Sequence, residues 1–214
     1  MKRTFFLAIL FVAISAGGLR AQAPDAAAVS GSSTVETLVC FRHGEKPPGG
    51  LGQITPRGLN RALALPKVLI GHYGRPQYLF APDPADQVTD AGVKYSYVRP
   101  LATIEPTAIY LGMPVNTQYG AADIAGLQAE LAQPQYRNAV VFIAWEHLKL
   151  HDFVQNELNT FHSGLGELKA WPGKDYDTIL VVKITRQGGS ATAALTVDHE
   201  GLDGVSSAFP GATP

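Results

Sequence analysis

The chain reads Thr37-Leu38-Val39-Cys40-Phe41-Arg42-His43-Gly44-Glu45 where an apolar run ends in charged residues. An apolar run with β-branched and aromatic members is typical of a buried strand, and the glycine ends it. Open α/β sheets bind ligands at the carboxyl ends of their strands, where an arginine and a histidine stand here. A guanidinium offers a planar fork of donors that suits a phosphate, and histidine is a nucleophile near neutral pH. The stretch indicates chemistry at a phosphate group. Taken alone, it also fits a strand-end turn with two solvated side chains.

The bulk composition limits the class of protein. The 214 residues are 46% hydrophobic and 16% charged, which predicts one folded domain and not a disordered chain. The formal net charge of −1 gives no reason to expect a nucleic-acid or acidic-membrane partner. Cys40 is the only cysteine, so an internal disulfide is excluded, and its place in the predicted strand indicates an inert buried thiol.

The N-terminus resembles a secretion signal. Lys2 and Arg3 precede an apolar stretch over 4–16, and Ala21-Gln22-Ala23 has the small-x-small form of a cleavage site. The alternative is an uncleaved anchor, but the apolar stretch is short of the roughly 20 residues that a membrane span needs. We therefore expect a signal peptide over 1–23, a flexible leader over 24–35, and a periplasmic or secreted protein without stable membrane association after cleavage.

Strands and helices are predicted to alternate along the chain. The first half gives a strand at 36–41, a helix from Pro56 that Pro66 bends or ends, a strand at 78–81 and a polar loop at 83–92. The second half gives a helix at 97–111 interrupted at two prolines, a helix at 124–131, a strand at 139–145, a helix at 148–161, and strands at 178–185 and 191–197 joined by a hairpin turn.

This alternation predicts the fold class. Strands separated by helices form a mainly parallel sheet covered on both faces, which is a three-layer αβα sandwich. We expect one α/β domain over 36–200, with an antiparallel hairpin strand at its end and a loose tail over 201–214.

A second strand end also carries charged groups. Residues 139–145 run directly into Glu146 and His147. Parallel strands end on the same side of a sheet, so His43 and His147 are predicted to share one crevice.

Four ordered stretches resemble the histidine phosphatase superfamily, also called phosphoglycerate-mutase-like. Residues 42–45 resemble its strand-one signature, and residues 51–58 its helix start. Residues 80–82 followed by 99–106 resemble its arginine-containing stretch, and residues 140–147 the strand that delivers its second histidine. The short chain favours the small branch of the family. Three departures from the family pattern stand out: Pro82 replaces the usual serine, Leu148 replaces the glycine of the small branch, and the stretch between Ala81 and Arg99 is long.

The resemblance implies a mechanism. His43 would attack phosphorus and form a phosphohistidine, while Arg42, Arg99 and His147 would bind the equatorial oxygens. A carboxylic acid, either Asp123 or Glu146, would protonate the leaving alcohol and then activate water. The substrate would be a small phosphomonoester, with no cofactor and no metal. A mutase is disfavoured, because it would need long insertions to keep its phosphorylated intermediate.

Two other functions stay open on the sequence. One is a phospho-ligand-binding protein that has kept the pocket and lost the acid. The other is a metal hydrolase that uses His43, Glu45, His147 and His151, although Glu45 is expected to brace a nearby arginine instead.

Overall fold

The computed structural model describes residues 33–211, so the predicted signal peptide and almost all of the predicted leader lie outside the described residues. The elements in chain order are β1 (Thr34–Arg42), α1 (Pro56–Tyr73), β2 (Tyr78–Phe80), β3 (Gln87–Asp90), β4 (Val93–Ser96), α2 (Arg99–Leu111), α3 (Ile124–Leu131), a 3-10 turn (Pro134–Tyr136), β5 (Val140–Trp145), α4 (His147–Thr160), β6 (Thr178–Gln187) and β7 (Ser190–His199).

Five strands form the central sheet in the order β2-β5-β1-β6-β7. β1 and β2 both pair with β5 in parallel, whereas β6 pairs antiparallel with β1 and with β7. Among these five strands β6 alone runs against the others, because β7, which is antiparallel to β6, runs in the same direction as β1. Gly188 and Gly189, at φ 57° and 85°, form the two-residue turn between β6 and β7.

Helices cover both faces of the sheet, which confirms the predicted three-layer sandwich. Successive residues of a strand point to opposite faces. Leu38 and Cys40 accordingly pack in one core with α3 and α4, while Val39 and Phe41 pack in the other with α1 and α2. None of the helices within residues 33–211 has both the length and the apolar character needed to cross a bilayer.

The predicted polar loop over 83–92 is wrong, because β3 and β4 form a two-stranded hairpin there. Ala91 and Gly92 make its turn with φ of 50° and 81°. Alanine seldom adopts a positive φ, so a turn at this position is not expected from the residue types. The hairpin accounts for the unusual length of the stretch between Ala81 and Arg99.

The predictions that the helix from Pro56 could end at Pro66 and that the next helix is interrupted near Pro100 and Pro106 are also wrong. Pro66 lies within α1 and Pro106 within α2, and both helices continue through them. Buried side chains on both sides of Pro66, Leu65 and Leu69 among them, hold α1 to the sheet and offset the lost hydrogen bond. Pro100 stands in the first turn of α2, where an N–H has no helical partner in any case.

Residues 201–211 are tied to α1 and are not the loose tail that we predicted. Asn60 Nδ2 donates to the carbonyls of Ser206 and Ala208 at 2.8 and 2.7 Å. Arg61 Nη2 donates to Asp203 Oδ1 at 3.0 Å. Polar side chains of α1 thus hold a segment that has no regular secondary structure.

Candidate active site

The ends of β1 and β5 bring the two histidines of the sequence prediction to one place. Arg42 and Trp145 are register partners, and the His43 amide donates to the Trp145 carbonyl at 3.0 Å. β5 ends at Trp145, Glu146 is the N-cap of α4, and His147 is the first residue of that helix. Glu146 and His147 therefore come directly after the end of β5, which lies beside His43.

His43 is held in one orientation and one protonation state. Its side chain is 2% exposed, and its Nδ1 lies 2.8 Å from the Gly44 carbonyl oxygen. A carbonyl only accepts hydrogen bonds, so this contact places the proton on Nδ1 and leaves the Nε2 lone pair free. Burial lowers the pKa of His43 to about 3, and the positive charges of Arg42 and Arg99 contribute to the lowering. The ring is thus a neutral nucleophile at ordinary pH.

The backbone around His43 is locked by close packing. The Gly44 amide donates to Thr103 Oγ1 at 2.8 Å, which ties the strand end to α2. A Cβ on Gly44 would lie 2.9 Å from the Gly58 Cα and carbonyl oxygen, so only glycine fits. Glu45 accepts two hydrogen bonds from the buried Arg61, at 3.1 and 2.9 Å, which confirms its predicted bracing role.

Arg42 is anchored through one of its nitrogens. Nη1 donates to the carbonyls of Gly173 and Asp175 at 2.9 and 2.8 Å, and the guanidinium lies 3.9 Å from the Tyr176 ring centroid. The residue is 2% exposed, and its Nε has no partner within residues 33–211.

Arg99 is anchored in a similar way on the other side. Nη1 donates to Asp90 Oδ2 at 2.5 Å, and the guanidinium lies 4.9 Å from the Tyr97 ring centroid. Asp90 also accepts from the Gly52 amide at 3.0 Å, so the β3–β4 hairpin fixes this arginine from outside the sheet. The Arg99 Nε is likewise buried and without a partner in the described part of the chain.

Glu146 and His147 contact each other. Glu146 caps α4 by accepting from the Lys149 amide at 3.0 Å, and its carboxylate also contacts His147 Nδ1. Burial raises the pKa of Glu146, but the bonds from His147 and from the Leu148 and Lys149 amides outweigh it and lower the pKa to about 2. Glu146 is therefore ionised in this arrangement. A Cβ on Gly173, whose carbonyl binds Arg42, would lie 3.9 Å from His147 Nε2.

Asp123 stands apart from the other predicted site residues. It is exposed and caps α3, where its carboxylate accepts from the Gly126 amide at 2.9 Å. Within residues 33–211 no hydrogen bond or ion pair joins it to the other five. The segment before it does approach the site, because Trp145 Nε1 donates to the Ala121 carbonyl at 2.9 Å.

Two tyrosines and an aspartate complete the surroundings and were missed by the sequence analysis. The ring centroids of Tyr97 and Tyr176 lie 6.3 and 6.2 Å from that of His43. The Arg99 guanidinium lies over the Tyr97 ring, and the Arg42 guanidinium over the Tyr176 ring. Asp90 holds Arg99. All three stand in loops or in the hairpin, where an aromatic or acidic residue gives no periodic signal.

The arrangement is suited to an anion. Arg42 Nε, Arg99 Nε and the Tyr97 hydroxyl are each buried without a hydrogen-bond partner among the residues described. Leaving a buried donor unpaired costs about 1–3 kcal/mol, a cost that a ligand oxygen accepting from these groups would remove. The charges of Arg42 and Arg99 both act on His43, and the Tyr97 ring meets the His43 ring, so an anion at His43 would find charged donors close by.

The metal-hydrolase alternative has no ligand group ready in residues 33–211. Among them no three His, Cys, Asp or Glu side chains gather in a form that could hold a metal ion. Glu45 is bound to Arg61, and His151 Nε2 lies 3.4 Å from the Leu168 carbonyl oxygen.

No protein-family model and no curated protein matches this chain. Solved structures do. The SixA phosphohistidine phosphatase of Nakamurella multipartitia is 17% identical at a TM-score of 0.52, over 77% of this chain and 96% of that one. Mycobacterial glucosyl-3-phosphoglycerate phosphatase in complex with inorganic phosphate is 14% identical at a TM-score of 0.53, and the match covers 75% of this chain and 95% of that one. Protein histidine phosphatase SixA in complex with tungstate is 14% identical at a TM-score of 0.52, and the match covers 77% of this chain and 97% of that one.

These likenesses define the class of fold. The chain has the α/β sandwich of these phosphatases. This shared fold agrees with the three-layer sandwich that the sequence predicted.

Proposed function

We propose that this protein is a phosphatase of the histidine phosphatase superfamily, which hydrolyses phosphomonoesters through a phosphohistidine. The observation that carries the proposal is the buried neutral His43, with its Nε2 lone pair free, between two arginines whose Nε donors are unpartnered within residues 33–211. A neutral imidazole is the form that attacks phosphorus, and preorganised donors stabilise the charge on the equatorial oxygens.

The reaction divides into two displacements. In the first, His43 Nε2 forms a bond to phosphorus as the bond to the leaving oxygen breaks, and that oxygen takes a proton from a carboxylic acid. In the second, water attacks phosphorus, its proton passes to the carboxylate, and the nitrogen–phosphorus bond breaks. The net reaction consumes one water and releases an alcohol and phosphate.

The proton donor is either Glu146 or Asp123. Glu146 is adjacent to His147 and acts electrostatically on His43, but it is ionised in this arrangement. A bound phosphate dianion would add negative charge beside it and raise its pKa toward the protonated form. Asp123 would have to release the α3 amide and approach from the loop after Ala121.

We propose that the reaction needs no metal ion, because Arg42 and Arg99 supply the positive charge that a cation would otherwise provide. Turnover should then be unchanged after dialysis against a chelator. The substrate in this proposal is a small phosphomonoester.

A non-catalytic phospho-ligand-binding protein is the second candidate. The low pKa of Glu146 and the capping role of Asp123 favour it, since neither carboxyl stands ready as an acid. Phosphate binding without turnover would identify this function.

The direct test is hydrolysis of 4-nitrophenyl phosphate. The wild type should turn over, and His43→Ala should fall to background with an unchanged circular dichroism spectrum. His72→Ala is the matched control, because His72 is exposed on α1 and its Nδ1 lies 3.9 Å from Asp198 Oδ2, outside the site. Full activity in His43→Ala would contradict the proposal.

We also propose that residues 1–23 direct export and are removed, so that the protein acts in the periplasm or outside the cell. The support is the charged and apolar sequence of that segment. Mass spectrometry of the protein from its own cells should give a chain that begins near residue 24. An intact N-terminus in the cytoplasmic fraction would contradict export.

A further inference from the structure

Tyr97 has a hydroxyl that the fold does not explain. The residue is 2% exposed, and its hydroxyl oxygen is buried without a hydrogen-bond partner in residues 33–211. A phenylalanine would fill the same space without the cost of about 1–3 kcal/mol that a buried unpaired polar group carries. Packing alone therefore accounts for the ring of Tyr97 and leaves its hydroxyl unexplained.

The position of Tyr97 indicates what the hydroxyl is for. Its ring meets the His43 ring edge-on at 6.3 Å, and the Arg99 guanidinium lies over its face. The charges of Arg99, Glu146 and Arg42 all act on the hydroxyl, and Arg99 also approaches its oxygen as a donor, which leaves the hydroxyl proton for an acceptor at the proposed site. Burial raises the pKa of Tyr97 above its usual range, so the hydroxyl stays protonated and is a donor.

We propose that Tyr97 is a further catalytic residue, whose hydroxyl donates a hydrogen bond to a phosphoryl oxygen of the substrate. The inference rests on the proposed function for the identity of the ligand. Arg42 Nε, Arg99 Nε and the Tyr97 hydroxyl then act as three donors around the group that His43 attacks. The charge on phosphoryl oxygens is redistributed in the transition state, so the bond should support the chemical step more than ground-state binding.

Tyr97→Phe separates this role from a structural one. Removing a donor to a charged oxygen should lower kcat roughly 10- to 100-fold, with a smaller change in KM. The melting temperature should stay unchanged or rise, because the variant no longer buries an unpaired hydroxyl. The affinity for vanadate, a mimic of the five-coordinate phosphorus, should fall by a similar factor.

Tyr73→Phe is the matched control. The Tyr73 hydroxyl donates to Asp198 Oδ2 at 2.7 Å, and Tyr73 packs against Phe142 away from the site. This variant should show the opposite pattern: a lower melting temperature and an unchanged kcat.

The outcomes distinguish the two proposals. If the wild type is active and Tyr97→Phe keeps its kcat and its vanadate affinity, the role of Tyr97 is overturned while the phosphatase proposal stands. If Tyr97→Phe loses stability and activity together while vanadate affinity is kept, the hydroxyl is structural and the inference is also overturned. If the wild type binds phosphate without turnover, titration with vanadate still decides whether Tyr97 contacts the anion.

Discussion

At the scale of single residues, the site combines cations with local counter-charges. Asp90 neutralises one guanidinium edge of Arg99, and backbone carbonyls occupy one nitrogen of Arg42. Each arginine is fixed by Nη1 and, within residues 33–211, keeps its Nε for a ligand. This arrangement positions the donors before the substrate arrives, which is how preorganised electrostatic stabilisation works.

Arg99→Ala should impair both catalysis and anion binding. The loss of one charged donor should lower the rate on the order of 10²–10³-fold, by analogy with the removal of an oxyanion-hole donor. Vanadate inhibition, measured as an inhibition constant, should weaken in parallel. Arg99→Lys should recover only part of the rate, because an ammonium lacks the planar fork. Arg137→Ala, which removes an exposed arginine, is the control, and equal kinetics in the two alanine variants would exclude Arg99 from the site.

Leaving-group dependence identifies the acid. An alkyl phosphate needs a proton on its leaving oxygen, whereas nitrophenolate leaves almost unaided. One of Glu146→Gln and Asp123→Asn should therefore lose far more activity on an alkyl ester than on 4-nitrophenyl phosphate. The other should change both rates alike or leave both unchanged. Full alkyl-ester activity in both variants would show that neither carboxyl is the donor.

At the scale of elements, the strand end after β1 depends on the contact between Gly44 and α1. Gly44→Ala places a Cβ 2.9 Å from the Gly58 backbone, so one of the two segments has to move. We expect a loss of about 1–3 kcal/mol in the free energy of unfolding, as for other overpacked sites. Turnover should drop as well, since the same shift displaces His43. Denaturant unfolding and nitrophenyl phosphate kinetics measure the two effects.

Gly71→Ala is the matched glycine control. Gly71 lies in α1, and a Cβ added there would meet no atom of residues 33–211 within 4 Å. Alanine should therefore stabilise the helix by about 0.5–1 kcal/mol and leave turnover unchanged. A Gly44→Ala variant that behaved like Gly71→Ala would show that the close approach has no role in holding the site.

The sequence predicts the two strands that position the histidines, but it does not predict the hairpin and the tyrosines around them. β1 and β5 are apolar runs that end in charged residues, so their strand ends, and with them His43 and His147, follow from periodicity and the rule for parallel sheets. The β3–β4 hairpin turns at Ala91, a residue type that is no turn signal, so the partner of Arg99 was not predicted. Tyr97 and Tyr176 reach His43 only through tertiary packing, which no local pattern encodes.

At the scale of the whole molecule, β1 also carries a buried carboxyl group near its first residue, at the opposite end of the strand from the site. Glu36 is fully buried, and Arg186 Nη1 lies 2.8 Å from its Oε2. Burial raises the pKa of Glu36 from 4.5 to about 7, although Arg186 lowers it in part. A carboxyl whose folded pKa is raised stabilises the protein below its unfolded pKa, and that contribution is lost as the pH rises through the folded value.

In the Glu36→Gln variant the free energy of unfolding should therefore depend less on pH than it does in the wild type. Between about pH 4.5 and pH 7, the free energy of unfolding of the wild type should fall relative to the variant, by up to about 3 kcal/mol. Urea unfolding across this range measures the difference, and Glu167→Gln, at an exposed position, should track the wild type. Parallel profiles for the wild type and Glu36→Gln would show that Glu36 ionises in the folded protein as it does in the unfolded chain.

The mechanism depends above all on His43 carrying the phosphoryl group between the two displacements. Rapid quenching of the wild type with ³²P-labelled 4-nitrophenyl phosphate should trap label that is stable in base and labile in acid, on the peptide that contains His43. His43→Ala should trap none. Two results would contradict the mechanism. One is label on a carboxylate or hydroxyl side chain of the wild type, and the other is continued turnover by His43→Ala.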